Sequence, residues 1–239
     1  MTVGYIQPIA PDSPTPFAVA ARDLLRNTAL DAARTLLLEK PWPDVTMSDI
    51  ARAAGVSRQT LYNEFGSRHG FAQAYVLRET DRFIAAVETA VHQHLDDPAT
   101  ALAAAFTVFL TAAAEDPLVR SIVSGDGSDE LLALVTTQGE PVLHRATDRL
   151  SGVIIAAWPD LPTADTALLA ETVVRLAISY AALPAGPAGM TAASISTLLG
   201  PYIEQLLERI GHGGGSVGAG VAGSPAGSAG SAEPAPAGP

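Results

Sequence analysis

Cysteine is absent from the 239 residues, and lysine occurs once, at Lys40. Without cysteine there is no disulfide framework, no thiolate metal site and no thiol nucleophile. A single lysine followed by Pro41 excludes the phosphate-binding loop that ends in Gly-Lys-Ser/Thr. Charged residues make up only 16% of the chain and aromatics 5%, against 48% apolar residues. That is enough to bury a sizeable core in one large or two small domains. No basic stretch precedes an apolar run at the start, so no secretory leader is expected. The longest uncharged apolar-looking run, Pro98 to Ala114, is Ala/Thr-rich. It falls short of the roughly 20 residues a bilayer span needs. The composition reads as a soluble cytoplasmic protein with no membrane partner.

The net charge of −11 is unevenly spread. Residues 18–82 carry +1 and residues 83–210 carry −10. The acidity of the second part is either ordinary surface solubility or a division of labour between a near-neutral unit and an acidic one. The ends differ again. Residues 1–17 hold Pro8, Pro11, Pro14 and Pro16 without helical period and read as a flexible arm. In residues 211–239, 25 of 29 are Gly, Ala, Ser or Pro, too little apolar surface to offset the entropy of ordering, so a disordered tail is expected.

Between the ends the apolar spacing is helical throughout, and strand-like alternation is missing. Residues 20–39 form a helix stopped by Pro41 and Pro43. Short helices over 47–54 and 58–64 start at Thr46 and Ser57 and stop at Gly55 and Gly66. Ser67 caps a long helix over 68–95. Further helices are expected over 99–115, 117–123, 128–137, 141–157, 164–182 and 192–210, with Thr163 and Thr191 as N-cap candidates. The fold class is all-α.

One stretch is more informative than the rest. Between Thr46 and Phe65, Ile50, Ala54, Val56 and Leu61 face inward, and Ala51 is small where two short helices touch. Gly55 supplies the positive φ of a tight turn. Ser57 caps the second helix. Two short helices meeting steeply across such a turn make a helix-turn-helix, whose second helix enters the DNA major groove. The stretch continues into Gly66, Ser67 and a long helix. Thr46, Ile50-Ala51, Ala54-Gly55-Val56-Ser57, Thr60-Leu61-Tyr62, Phe65 and Ser67 together resemble the DNA-binding domain of the TetR family of bacterial transcription regulators. The resemblance covers about residues 20–72. Arg68 stands where the family commonly has Lys, His69 where it has an acid, and Phe71 where it has Leu.

The resemblance implies an N-terminal three-helix helix-turn-helix domain, 18–66, followed by a C-terminal helical ligand-binding and dimerisation domain, 67–210. Thr46, Tyr62, Arg68 and His69 are the expected phosphate contacts. Arg58, Gln59, Thr60 and Asn63 are the expected base readers: Arg to guanine, Gln or Asn to adenine, Thr to a thymine methyl. A unit of about +1 makes few phosphate contacts, so a homodimer on near-palindromic operator DNA is expected.

In the family the C-terminal helices build a dimer interface and a cavity for a small molecule. Leu169, Val173, Leu199, Tyr202, Ile203 and Leu206 are the expected interface. Phe106, Phe109, Leu110, Leu143, Leu150, Val153, Ile154 and Trp158 are the expected cavity walls, though Phe and Leu at helical spacing are more often core residues. Arg175 either pairs with Glu171 one turn back or meets a ligand carboxylate. The walls point to a small hydrophobic effector, fatty-acid-like or a planar aromatic. A ligand-independent scaffold that binds DNA or a protein remains the alternative.

Enzyme chemistry finds little support. His92 and His94, two residues apart, lie about 200° around a helix and cannot share a metal. Gly214-Gly-Ser216-Val-Gly218 matches a nucleophile-elbow pattern but sits in the Gly/Ser-rich tail, not on a strand-to-helix turn. No cofactor and no metal are expected.

Overall fold

The computed structural model describes residues 16–123, 128–184 and 186–213. Within them the protein is all-α, with ten helices, one 3-10 turn and no strand. The helices are α1 (Pro16–Glu39), α2 (Met47–Ala53), α3 (Arg58–Phe65), α4 (Arg68–His92), α5 (Pro98–Glu115), α6 (Pro117–Val123), α7 (Asp129–Val135), α8 (Glu140–Ala157), α9 (Thr163–Ala182) and α10 (Ala188–Gly213).

Several ends differ from the sequence expectation. α1 begins at Pro16, inside the expected arm, because proline is tolerated in a first helical turn. α4 ends at His92, three residues early. Pro162, not Thr163, precedes α9, and Thr191 lies within the first turn of α10. Pro41 and Pro43 do end α1, but the chain then winds into a 3-10 turn, Trp42–Asp44, that buries Trp42. The expected disordered tail falls outside the described residues except for 211–213, which continue α10, and so does most of the expected arm.

Buried side chains form two clusters. The first gathers Ala33, Leu37, Ile50, Leu61, Phe65, Phe71 and Tyr75 from α1–α4, together with Leu118 of α6 and Leu131 and Leu134 of α7. The second gathers Ile84 and Val87 of α4, Phe106 of α5, Leu150 of α8, Leu169 of α9 and Ile203 of α10. α4 belongs to both. Its first half completes the helix-turn-helix core, and its second half packs on α5 and α8. α5 lies between α4 and α10, and α8 packs along α9. Contrary to the sequence expectation, α5 at 18 residues is long and apolar enough to span a bilayer by length and composition, the one such helix among the described residues. Here it packs within the bundle.

Candidate nucleic-acid interface and apolar cavity

Local chemistry sets the helix-turn-helix. Thr46 and Asp49 form a reciprocal capping box at the start of α2, which satisfies two backbone donors that the helix leaves free. Lys40 donates to Asp49 at 2.8 Å and, with Thr46, holds that carboxyl well below the usual carboxylate range. Gly55 takes φ +70° in the turn. Ser57 accepts from Thr60 N at 3.0 Å and caps α3.

α3 turns Leu61 and Phe65 inward. Arg58, Gln59 and Asn63 are exposed on the same helix. Gln59 Nε2 donates to Asn63 Oδ1 at 2.8 Å. The Arg58 guanidinium lies 5.3 Å from the centre of the Tyr62 ring and donates to its hydroxyl at 3.4 Å. Thr60 is half-buried, with its hydroxyl 2.7 Å from that of Ser57. Glu64, on the inner side, accepts from Arg22 at 2.7 Å and Arg26 at 2.9 Å, which ties α3 to α1. The sequence reading missed this tie. Neither spacing nor motif relates residues so far apart.

Arg68 has a structural role that the sequence reading did not give it. Its guanidinium donates to the backbone carbonyls of Trp42 and Val45 and stacks 4.5 Å from the Trp42 ring centre. Its Nε lies 3.4 Å from Glu130 of α7. With its donors turned onto the 42–45 turn, Arg68 holds the start of α2, while its side chain stays partly exposed. Glu130 also accepts from Trp42 Nε1 at 2.7 Å and lies 3.6 Å from His69 Nδ1. His69 and Thr46 remain exposed, although the Thr46 hydroxyl also bonds Asp49 at 2.8 Å.

In the second half of the protein, α4 to α10 line a partly open apolar pocket of about 170 Å³. Phe106, Phe109, Leu150, Ile154 and Trp158 line it, as do Val76, Ile84 and Val87 of α4, Leu118 and Ile122 of α6 and Ile203 of α10. Thr80 and Trp158 bring the polar atoms. The Thr80 hydroxyl is spent on Val76 O at 2.9 Å and the Trp158 indole on Leu95 O at 3.1 Å.

The placement of other expected residues differs. Leu110, Leu143, Val153 and Arg175 are not on the cavity wall. Arg175 is exposed and pairs with Glu171 at 2.7 Å, the ordinary helical arrangement. Leu169, Val173 and Ile203 line the cavity, although interface residues by the sequence reading. Leu169, Ile203 and Leu206 are buried within the protomer, so they have no surface to offer a second copy. Val173, Leu199 and Tyr202 are half-buried. Among the described side chains of the α9–α10 region, Leu168, Leu183, Met190 and Leu198 are the large apolar ones left exposed.

A second recess, lined by Leu110, Val119, Arg120, Tyr180 and Ala181 among others, shares Val119 and Ala181 with the cavity. Among the described residues no cluster of three or more metal-ligating side chains occurs. His92 bonds its own helix at Glu88 O, 2.7 Å. The Gly214–Gly218 pattern lies outside the described residues.

Comparison with known proteins agrees with this geometry. Residues 29–75 match the family model described as bacterial regulatory proteins, tetR family, and residues 97–201 match that for the bacterial tetracyclin repressor C-terminal domain. The HTH-type transcriptional regulator AlkX of Mycobacterium tuberculosis is 40% identical over 197 residues, 82% of this chain and 93% of AlkX. The crystal structure of the TetR family repressor AlkX from Dietzia sp. strain DQ12-45-1b, implicated in biodegradation of n-alkanes, superposes with a TM-score of 0.69 at 35% identity. The match covers 75% of this chain and 97% of that one. A TetR-family regulator from Pectobacterium atrosepticum shares the fold at 18% identity, with a TM-score of 0.56 over 78% of this chain and 96% of its own. With a helix-turn-helix and a helical second domain both matched, this chain belongs to the TetR family of bacterial transcription regulators.

Proposed function

We propose that the protein is a cytoplasmic repressor that binds a near-palindromic operator as a homodimer and is released by a small, chain-like hydrophobic molecule. The cavity is the observation that carries this reading. A partly open apolar space of about 170 Å³ leaves packing contacts unmade, and a hydrophobic ligand restores them. Arg58, Gln59, Thr60 and Asn63 supply base reading, with Thr46, Tyr62 and His69 on phosphate. Leu168 and Leu198, rather than their buried neighbours Leu169 and Ile203, supply apolar area to the dimer.

The effector is a fatty-acid-like chain. The cavity wall carries no charged side chain, but the adjoining recess has Arg120 and Tyr180. A chain in the cavity with a carboxylate at Arg120 uses both. The name of the Dietzia relative, linked to n-alkane biodegradation, supports a hydrocarbon-derived ligand. A release of tenfold to hundredfold needs about 1.4–2.7 kcal/mol of coupling, within the usual range.

The test pairs thermal shift with operator anisotropy across C8–C16 carboxylates, the matching alkanes and aromatic acids. Some carboxylate should raise the melting temperature and lower operator affinity together, and Ala105→Trp, which fills the cavity, should blunt both while leaving ligand-free DNA binding intact. If no compound that stabilises the fold lowers operator affinity, the ligand-independent scaffold is the better account.

A further inference from the structure

A buried ionic cluster joins the cavity wall to α1. Arg34 of α1 places one guanidinium nitrogen 2.5 Å from Glu79 of α4 and 2.6 Å from Asp116, at the junction of α5 and α6. Both carboxylates are almost fully buried, 1% and 3% exposed. Arg78 bridges Glu79, at 3.1 Å, to Asp31 of α1 at 2.7 Å, and Arg82 lies 3.7 Å from Glu79. Asp116 also accepts from Leu118 N at 2.8 Å, which starts α6. Tyr75 is fully buried between these groups, and its hydroxyl has no hydrogen-bond partner. Burial, with Glu79 and Asp116 nearby, pushes that hydroxyl above the ordinary tyrosine range, so it stays a donor.

The cluster sits on the back of the cavity wall. Glu79 lies between the lining residues Val76 and Thr80, and Asp116 lies just before the lining residues Leu118 and Val119. A ligand that displaces α6 or the middle of α4 moves one carboxylate relative to the other. A buried charge cannot be left unpaired cheaply, so either Arg34 and α1 follow or the displaced carboxylate finds a new partner. The Tyr75 hydroxyl is an idle partner at the same place. Discrete alternative pairings are what make a packed element switch rather than deform.

We propose that Arg34, Glu79, Asp116 and Tyr75 form a two-position joint between the cavity and the helix-turn-helix. In one position both carboxylates hold Arg34, and α1 keeps α2 and α3 in operator-binding register. In the other, Asp116 bonds the Tyr75 hydroxyl, and α1 is freed. The joint rests on the reading that cavity occupancy controls DNA binding.

The test uses the full chain, an operator duplex selected from random sequence with wild-type protein, and dodecanoate as probe. Tyr75→Phe should bind operator within twofold of wild type and keep the dodecanoate thermal shift. Its release factor should fall to less than a third of the wild-type value. Wild-type release by Tyr75→Phe overturns the joint. If dodecanoate neither stabilises nor releases wild-type protein, the effector reading has failed on its own terms. The joint is then judged without ligand, on Arg34→Met, Asp116→Asn and the double variant, each checked for native helicity. Each single change should weaken operator binding at least fivefold, and the double change no more than the worse single one. Additive losses, or folded variants with unchanged affinity, overturn it.

Discussion

The helix-turn-helix and the bundle behind it are stabilised by different means, and each means suits its task. The first is short helices held by directed polar contacts: the Thr46–Asp49 box, the Ser57 and Ser67 caps, Arg68 on two carbonyls, Glu64 between two arginines. The second is long helices around a space that only apolar side chains and spent polar atoms border. Directed contacts fix the angle at which α3 is presented, which base reading requires to within a fraction of an ångström. Non-directional packing tolerates a change of contents, which a ligand chamber requires. Under the proposed function, rigidity at one end and an adaptable apolar pocket at the other are what a small molecule needs to act on DNA it never touches.

The sharpest way to break this contrast is to remove the anchor on which the directed contacts converge. Trp42→Ala deletes a buried ring, its bond to Glu130 and the platform under Arg68. It should cost about 3–5 kcal/mol in denaturant unfolding and abolish operator binding. Gly70→Ala comes next. A Cβ at Gly70 would collide with the Phe65 carbonyl oxygen, and the overpacking should cost about 1–3 kcal/mol, seen as a lower urea midpoint. Arg58→Ala separates stability from recognition: about 1–3 kcal/mol lost at one base position, with the melting temperature unmoved. A selection experiment that returns the same operator for Arg58→Ala would remove Arg58 from the readers. Ser67→Ala should cost about 1 kcal/mol. The smallest effect belongs to Asp81 in the bundle. The Arg145 hydrogen bond holds its carboxyl below the usual range. Its stabilisation is present above the unfolded value near pH 4 and is lost as pH falls through the depressed folded one. Arg145→Gln should flatten that acid limb of the melting curve.

Legibility in the sequence follows the same division. Gly55, Ser57 and Ser67 could be placed because a cap or a positive φ is a property of a few adjacent residues. The all-α class was readable from the period alone. The contacts of Arg68 to Trp42 and Val45 were not foreseen, because those residues lie more than twenty positions away in a turn that no pattern announces. Leu169, Ile203 and Leu206 were set on the outside because periodicity shows that a helix has an apolar face but not whether its own protomer or a copy covers it. The α4 side of the cavity, Val76, Ile84 and Val87, was not foreseen, because periodicity does not tell a core face from a cavity wall.

The pairing of Glu64 with Arg22 and Arg26 reaches beyond architecture. Lys40, Arg34 and Arg78 are likewise committed to carboxylates, so the recognition head meets DNA with few uncommitted cations. Few counterions are then released on contact, and the affinity for arbitrary sequence, which is almost wholly electrostatic, stays low. Such a protein loses little of its population to the rest of the chromosome and slides only short distances before dissociating. Its association with DNA should then depend only weakly on salt, with a shallow slope of affinity against ionic strength.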